Sequence, residues 1–191
     1  MTDATPLLTP SQTAGPYLSI GLFRDVIGSS LVADDDLRAI RIRGRLIDGH
    51  GDPVPDGMVE IWQANAAGRY AHPDDAREDV PLEEGFRGFG RSGTADDGWF
   101  EFLTVKPGSV PAPDGRPQAP HLVVGVFARG LLKRLVTRLY FPDEEEANAE
   151  DPVLSELDEA ERVTLIARPE DGGLRFDLHL QGDEQTTFFI V

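Results

Sequence analysis

Apolar and polar positions alternate with a period of two through much of the chain. In AIRIRGRLID, Ile40, Ile42, Gly44 and Leu46 interleave with Arg41, Arg43 and Arg45, which predicts a half-buried strand with a basic outer face. GMVEIWQ, GWFEFLTV, HLVVGVF, RLVTRLYF, RVTLIA, GLRFDLHLQG and the terminal TTFFIV read as further strands, being short runs rich in Val, Phe, Tyr and Thr. The turn clusters DGHGDPVPDG, TADDG, KPGSVPAPDGRP and PEDGG separate them. About eight short strands with such punctuation predict an all-β fold, an antiparallel β-sandwich with little helix.

Three segments break the pattern. Residues 143–162, DEEEANAEDPVLSELDEAER, read as an acidic helical excursion over the surface. Residues 64–93 and 107–120 are too long for simple hairpins, and some helix is expected in the first of them. Long ordered loops on a β scaffold are where sites and interfaces tend to sit. An N-terminal arm, residues 1–20, precedes the first strand, and the whole of 1–191 is expected to form a single domain.

Charge and composition narrow the function classes. A formal charge of −16 sets the chain against a nucleic-acid partner, because the phosphate backbone would be repelled. An anionic substrate would need local positive charge to bind. There is no cysteine, hence no disulfide, thiolate metal site or cysteine nucleophile, which fits a cytoplasmic protein. No apolar run approaches membrane-spanning length, and the N-terminus has neither a basic lead nor a continuous apolar stretch, so no secretory signal is expected.

The candidate metal ligands start with four histidines. His121 opens the apolar run HLVVGVF, His72 lies in an HPD turn, His50 sits in DGHGD, and His179 takes an outward position on a predicted strand. One histidine does not make a metal site, so His121 reads first as a buried strand residue with a hydrogen-bonded ring. Tyr70 reads as a packed tyrosine with a bonded hydroxyl. Tyr70, His72 and His121 together would lack the carboxylate or second histidine of a tight site, and His50 and His179 read as surface residues.

Longer words add to this. GRLIDGHGDPVPDGMVEIWQANAAGRY, then GRSGTADDGWFEFLTVKPG, then a histidine-led strand and TRLYF, resemble the intradiol ring-cleaving dioxygenases, in that order and from Thr9 to the C-terminus. The resemblance implies a ferric iron held by two tyrosinates and two histidines. These are a Tyr in GRY, a Tyr shortly after KPG, and a His-x-His pair on the strand before LYF, with an arginine three residues before the first histidine. Phenolate oxygens suit hard Fe(III) and lower its net charge. Carried over position by position, this chain keeps Tyr70 and His121, but has Val110 at the second tyrosine, Val123 at the second histidine and Gln118 at the arginine. Valine has no donor atom. The resemblance therefore implies that Tyr70, Val110, His121 and Val123 are vestigial ligand positions. It implies an α-type subunit without its own metal, whose Fe(III) is bound by a partner β subunit.

The resemblance also assigns roles away from those positions. In SQTAGPY it implies that the arm reaches the β subunit, with Thr13, Gly15, Pro16 and Tyr17 helping to line that subunit's pocket. Gly15 permits close backbone approach and Pro16 fixes φ; an arm docked only for stability is the other reading. FARG supplies Arg129, implied to lie near the same pocket, where a guanidinium would attract a ring carboxylate. An interface ion pair is the alternative role, and the two can coexist. The implied reaction opens protocatechuate with O2 to 3-carboxy-cis,cis-muconate, with no catalytic residue on this chain. Two alternatives stand beside it: a self-sufficient homomeric catechol or hydroxyquinol dioxygenase, which Val110 and Val123 count against, and a β-sandwich binding module with no enzymatic partner.

Overall fold

The computed structural model describes residues 10–23 and 28–190. The first part of the predicted arm and the last residue of TTFFIV lie outside the described residues. In chain order the elements are α1 (Pro16–Leu22), β1 (Ala39–Ile47), β2 (Met58–Trp62), β3 (Phe89–Gly93), β4 (Trp99–Val105), β5 (Val110–Pro111), β6 (Pro117–Gln118), β7 (His121–Phe127) and β8 (Leu135–Tyr140). There follow α2 (Glu145–Glu150), a 3-10 turn at Leu154–Glu156, α3 (Glu159–Val163), β9 (Arg168–Glu170), β10 (Gly173–Arg175) and β11 (Leu178–His179). No helix among the described residues is long and apolar enough to cross a membrane.

Two sheets face each other. In one, β1 pairs antiparallel with β4 along most of its length and runs parallel to β10 and then β11 on its other side. The second sheet, in the order β3-β2-β7-β8, is antiparallel throughout. The period-two pattern does what it predicts: Ile42, Gly44 and Leu46 of β1 are buried while Arg41 and Arg45 face solvent. Ile42, Leu46, Phe100 and Phe102 from the first sheet share one core cluster with Val59, Ile61, Leu122 and Val124 from the second. Each such side chain contributes about 1.5–3 kcal/mol on leaving water. A Cβ on Gly44 would lie 1.8 Å from the Phe176 carbonyl oxygen, so only glycine lets the chain between β10 and β11 run alongside β1 this closely.

A second, smaller cluster of Ala119, Tyr140, Leu154 and Leu165 seats the acidic excursion on the sandwich. Residues 143–162 are helical in three short pieces, as their composition predicts. Asp151, fully buried among them, accepts hydrogen bonds from the Ala119, Val153 and Leu154 amides at 2.8, 2.9 and 2.9 Å and from the Tyr140 hydroxyl at 3.2 Å.

Four expectations are corrected. RVTLIA is not a strand: Asp158 and Glu161 close a capping box that starts α3, the helix carries Val163 to the surface, and only Ile166 bridges Tyr140. TTFFIV makes a single bridge, from Phe189 to Val136. Residues 64–93 contain turns and β3 but no helix, because Gly68, Gly85 and Gly88 sit at positive φ and keep turning the chain. The arm does contain a helix, α1, with Pro16 as its first residue, where the missing amide costs nothing.

Candidate functional site

The GRY turn and the loop after KPG meet because Asn65 holds both. Its side-chain oxygen accepts from the Ala67 and Arg69 amides at 3.0 and 2.9 Å, and its carbonyl accepts from the Gly68 and Gly108 amides, each at 2.9 Å. Gly68 has φ +85°, and a Cβ there would lie 2.1 Å from the Ser109 carbonyl oxygen. The backbone contact thus requires glycine, and it puts Tyr70 and Val110 on one cavity of about 790 Å³, together with Trp62, His72, Asp75 and Arg77.

Tyr70 stacks on Trp62 with ring centroids 5.7 Å apart and planes 12° from parallel. Burial raises the pKa of its phenol, so the proton is held more firmly than in water. Contrary to expectation, the Tyr70 hydroxyl makes no hydrogen bond to another of the described residues. The Tyr70 amide donates to Asp75 Oδ2 at 2.8 Å, and Arg77 grips the same carboxylate with Nε at 2.7 Å and Nη2 at 2.6 Å. Those bonds to Arg77 hold the Asp75 carboxyl well below the usual carboxylate range. His72 stands edge-on to Trp62 in an exposed turn, as its HPD context predicts.

His121 and Val123 lie on the outward face of β7, the face opposite Leu122 and Val124, and do not line this cavity. His121 is buried with Nδ1 2.8 Å from the Ala119 carbonyl. A carbonyl only accepts, so Nδ1 carries the proton. Burial, reinforced by the positive charge of Arg138, pushes the His121 pKa down to about 4, so the ring is neutral near pH 7. Gln118 at the end of β6 accepts from Arg138 Nη1 at 2.7 Å. His50 is largely exposed, whereas His179 is half-buried and lies 3.8 Å from Glu184.

The residues present do not fit a ferric iron. Val110 and Val123 offer no donor atom, and the Tyr70 phenol is biased against ionising. No group of three or more His, Asp or Glu side chains among the described residues is placed to hold a metal ion.

The arm makes a separate cleft. Thr13 Oγ1 accepts from the Gly130 amide at 2.8 Å, and Ala14, Gly15 and Leu18 close a cavity of about 370 Å³ against Asp56, Gly93 and Arg129. Arg129 is ion-paired with Asp56 and remains 71% exposed. Thr13, Gly15 and Arg129 are therefore neighbours, and Pro16 begins the helix beside them. Tyr17 points away, 84% exposed, as does Ile20 one turn on. Sequence reasoning missed Trp62, the Asp75–Arg77 pair, Asp56 and Arg138. Arg138 was visible as the one charged residue inside VTRLY, on the strand that precedes FP.

Comparison with known proteins places the chain in a family. A family model described as Dioxygenase matches residues 28–182. The chain is 42% identical over 197 residues to the protocatechuate 3,4-dioxygenase alpha chain of Pseudomonas putida, covering 95% of both chains. It is 41% identical over 158 residues to the beta chain of that enzyme from Burkholderia cepacia, covering 77% of this chain and 66% of the other. The solved hydroxyquinol 1,2-dioxygenase of Pseudomonas putida DLL-E4 superimposes with a TM-score of 0.60 at 19% identity, over 90% of this chain and 65% of that one, a likeness of fold. The chain belongs to the intradiol dioxygenase family.

Proposed function

We propose that this chain is an α-type subunit of a cytoplasmic protocatechuate 3,4-dioxygenase, folded as one domain. It binds no iron itself and works in complex with a β-type chain that does. The observation that carries the reading is the pair Val110 and Val123, at ligand positions, in a chain 42% identical to an alpha chain over 95% of its length. The same pair stands against a homomeric catechol or hydroxyquinol dioxygenase. Fe(III), held by the partner, supplies the Lewis-acidic centre at which the catechol becomes reactive toward O2. The complex breaks the bond between the two hydroxyl-bearing carbons of 3,4-dihydroxybenzoate, adds one atom of O2 to each of them and yields 3-carboxy-cis,cis-muconate.

This chain's part is to shape the pocket and supply charge. Thr13, Gly15, Pro16 and Tyr17 are the arm residues that line the partner's pocket. The exposure of Tyr17 and Ile20 on one side of α1 supports this, since two large apolar side chains are left for a partner to cover. Arg129 provides the cation. Its exposed ion pair with Asp56 contributes about 0–1 kcal/mol and is weak enough to be exchanged for a substrate carboxylate.

In the complex, Arg129→Ala is expected to lower kcat/KM for protocatechuate roughly ten-fold or more, the worth of a charge-assisted contact, and to leave catechol much less affected. Deleting residues 1–17 should impair both substrates, because a wall is lost whatever the substrate's charge. Steady-state kinetics on both substrates, with iron content checked, measures this. Equal losses for Arg129→Ala would assign the side chain to the subunit interface instead.

A further inference from the structure

Arg138 of β8 uses only part of its guanidinium. Nη1 donates to Gln118 Oε1 at 2.7 Å and to the Tyr140 hydroxyl at 3.1 Å, which occupies both of its N–H groups. Nε and Nη2 donate to no described residue, and neither is sealed away from solvent. Together they form one edge of the fork, the kind of edge that receives both oxygens of a carboxylate. The buried Asp151 is reached only through Tyr140, whose hydroxyl donates to it at 3.2 Å. Both direct partners of Arg138 are neutral, so among the described residues its charge is hydrogen-bonded but not cancelled by contact. Arg129 differs on both counts, being 71% exposed and already paired with Asp56.

Arg138 and Gln118 stand in a cleft of about 640 Å³ walled by Pro111, Pro113, Pro152 and Val153. That volume is ordinary for a small-molecule site, roughly 300–1,000 Å³. Proline has no amide hydrogen, so three of the walls present ring carbons and no backbone donor. Gln118 is spent: its Nε2 donates to the Pro111 carbonyl at 3.2 Å while its Oε1 receives the bond from Arg138. Asp114 also borders the cleft, but Arg116 pairs with it at 2.7 Å. What remains is an apolar recess with one half-buried cation whose donor edge is unused. Apolar walls with a single well-placed charged group suit a ligand with an apolar body and one acid group. The chain as a whole, at −16, repels such a ligand, so the local cation has to hold it.

We propose that this cleft binds a small aromatic carboxylate, of the benzoate type, without a metal. The carboxylate lies on Nε and Nη2 of Arg138, and the ring lies on the proline walls. Gln118 and Tyr140 fix the plane of the guanidinium from Nη1, so binding gives up little side-chain freedom. The site is this chain's own and does not depend on where the enzyme's iron lies. Under the function proposed above, the substrate, a dihydroxybenzoate, belongs to the same class.

The test is a calorimetric titration of benzoate into the full-length chain, into Arg138→Gln and into Ala112→Trp. Acetate and benzamide serve as comparison ligands, and circular dichroism confirms each fold. One benzoate per chain is expected, with a Kd on the order of a millimolar or tighter. Arg138→Gln should weaken binding at least about ten-fold, the worth of a charge-assisted contact, and uncharged benzamide should bind the parent comparably weakly. Ala112 borders the same cleft, so Ala112→Trp fills it while leaving the guanidinium in place. That variant should also lose binding, and it carries the test should Arg138→Gln fail to fold. Benzoate binding unchanged in either folded variant, or acetate binding as tightly as benzoate, would overturn the proposal. The same titration of the complex with the β-type chain separates a free acid from a carboxylate of the partner. The parent complex should take up one benzoate more per pair of chains than the Arg138→Gln complex. Equal uptake would mean that the partner fills the cleft, and the small-molecule site would be overturned.

Discussion

Asp151→Ala is expected to destabilise the chain by about 3–5 kcal/mol, the cost of breaking a buried network that leaves its partners unpaired. The carboxylate is wholly buried and accepts four hydrogen bonds, three of them from backbone amides of Ala119, Val153 and Leu154. Alanine strands those amides, of which the ones of Ala119 and Leu154 are on buried residues, and removes the acceptor that orients Tyr140. Asp151→Asn should cost less, because one oxygen still accepts, but its amide nitrogen brings donors into a site already lined by donors. For a chain of this size the alanine variant should melt roughly 10 °C lower. Thermal unfolding checks it, and a midpoint within about two degrees of the parent would mean that the acidic excursion is held by its apolar cluster alone.

Acid should weaken the fold through His121. Its pKa lies at about 4 in the folded chain against 6.5 for the free side chain, with burial as the main cause and Arg138 next. Between those values the unfolded chain takes up the proton and the folded chain does not. Stability is therefore whole above pH 6.5 and is lost as pH falls toward 4, by roughly 3 kcal/mol in all. His121→Leu removes this proton uptake and should flatten the curve over that window, even though it gives up the bond to the Ala119 carbonyl. The Asp75 carboxyl, held low by Arg77, acts in the same direction but below the ordinary carboxylate range, so the two effects separate on the pH axis. Denaturant titrations at several pH values between 4 and 7 measure the difference. Parallel pH curves for parent and variant would show that His121 titrates as it does in the unfolded chain.

Which parts of the molecule were legible in the sequence follows from what encodes them. AIRIRGRLI is written in the alternation itself, with Ile42, Gly44 and Leu46 buried as the pattern assigns, while HLVVGVF is written in a continuous apolar run rich in β-branched residues and buried along most of its length. RVTLIA carries the same β-branched composition, but Asp158 four residues before it decides for a helix through its cap. In FGRSG two glycines mask a strand whose partner, MVEIW, supplies the register. The pairing of Tyr70 with Val110 depends on Asn65 and Gly68 bringing distant loops together, and no local pattern announces that. Arg138 was hidden for a related reason: its importance comes from the residues across the strand and from Asp151, thirteen positions on.

The central claim is that this chain contributes to a dioxygenase whose iron belongs to another polypeptide, and one measurement reaches it directly. The chain is purified alone, and again after co-expression with a β-type chain from the same source, and iron content, visible absorbance and protocatechuate-dependent O2 uptake are recorded for both. The account predicts a colourless, iron-free and inactive chain on its own. With the partner it predicts a red-brown complex holding one iron for each pair of chains, which consumes O2 and forms 3-carboxy-cis,cis-muconate. Stoichiometric iron and ring cleavage in the chain alone would contradict it.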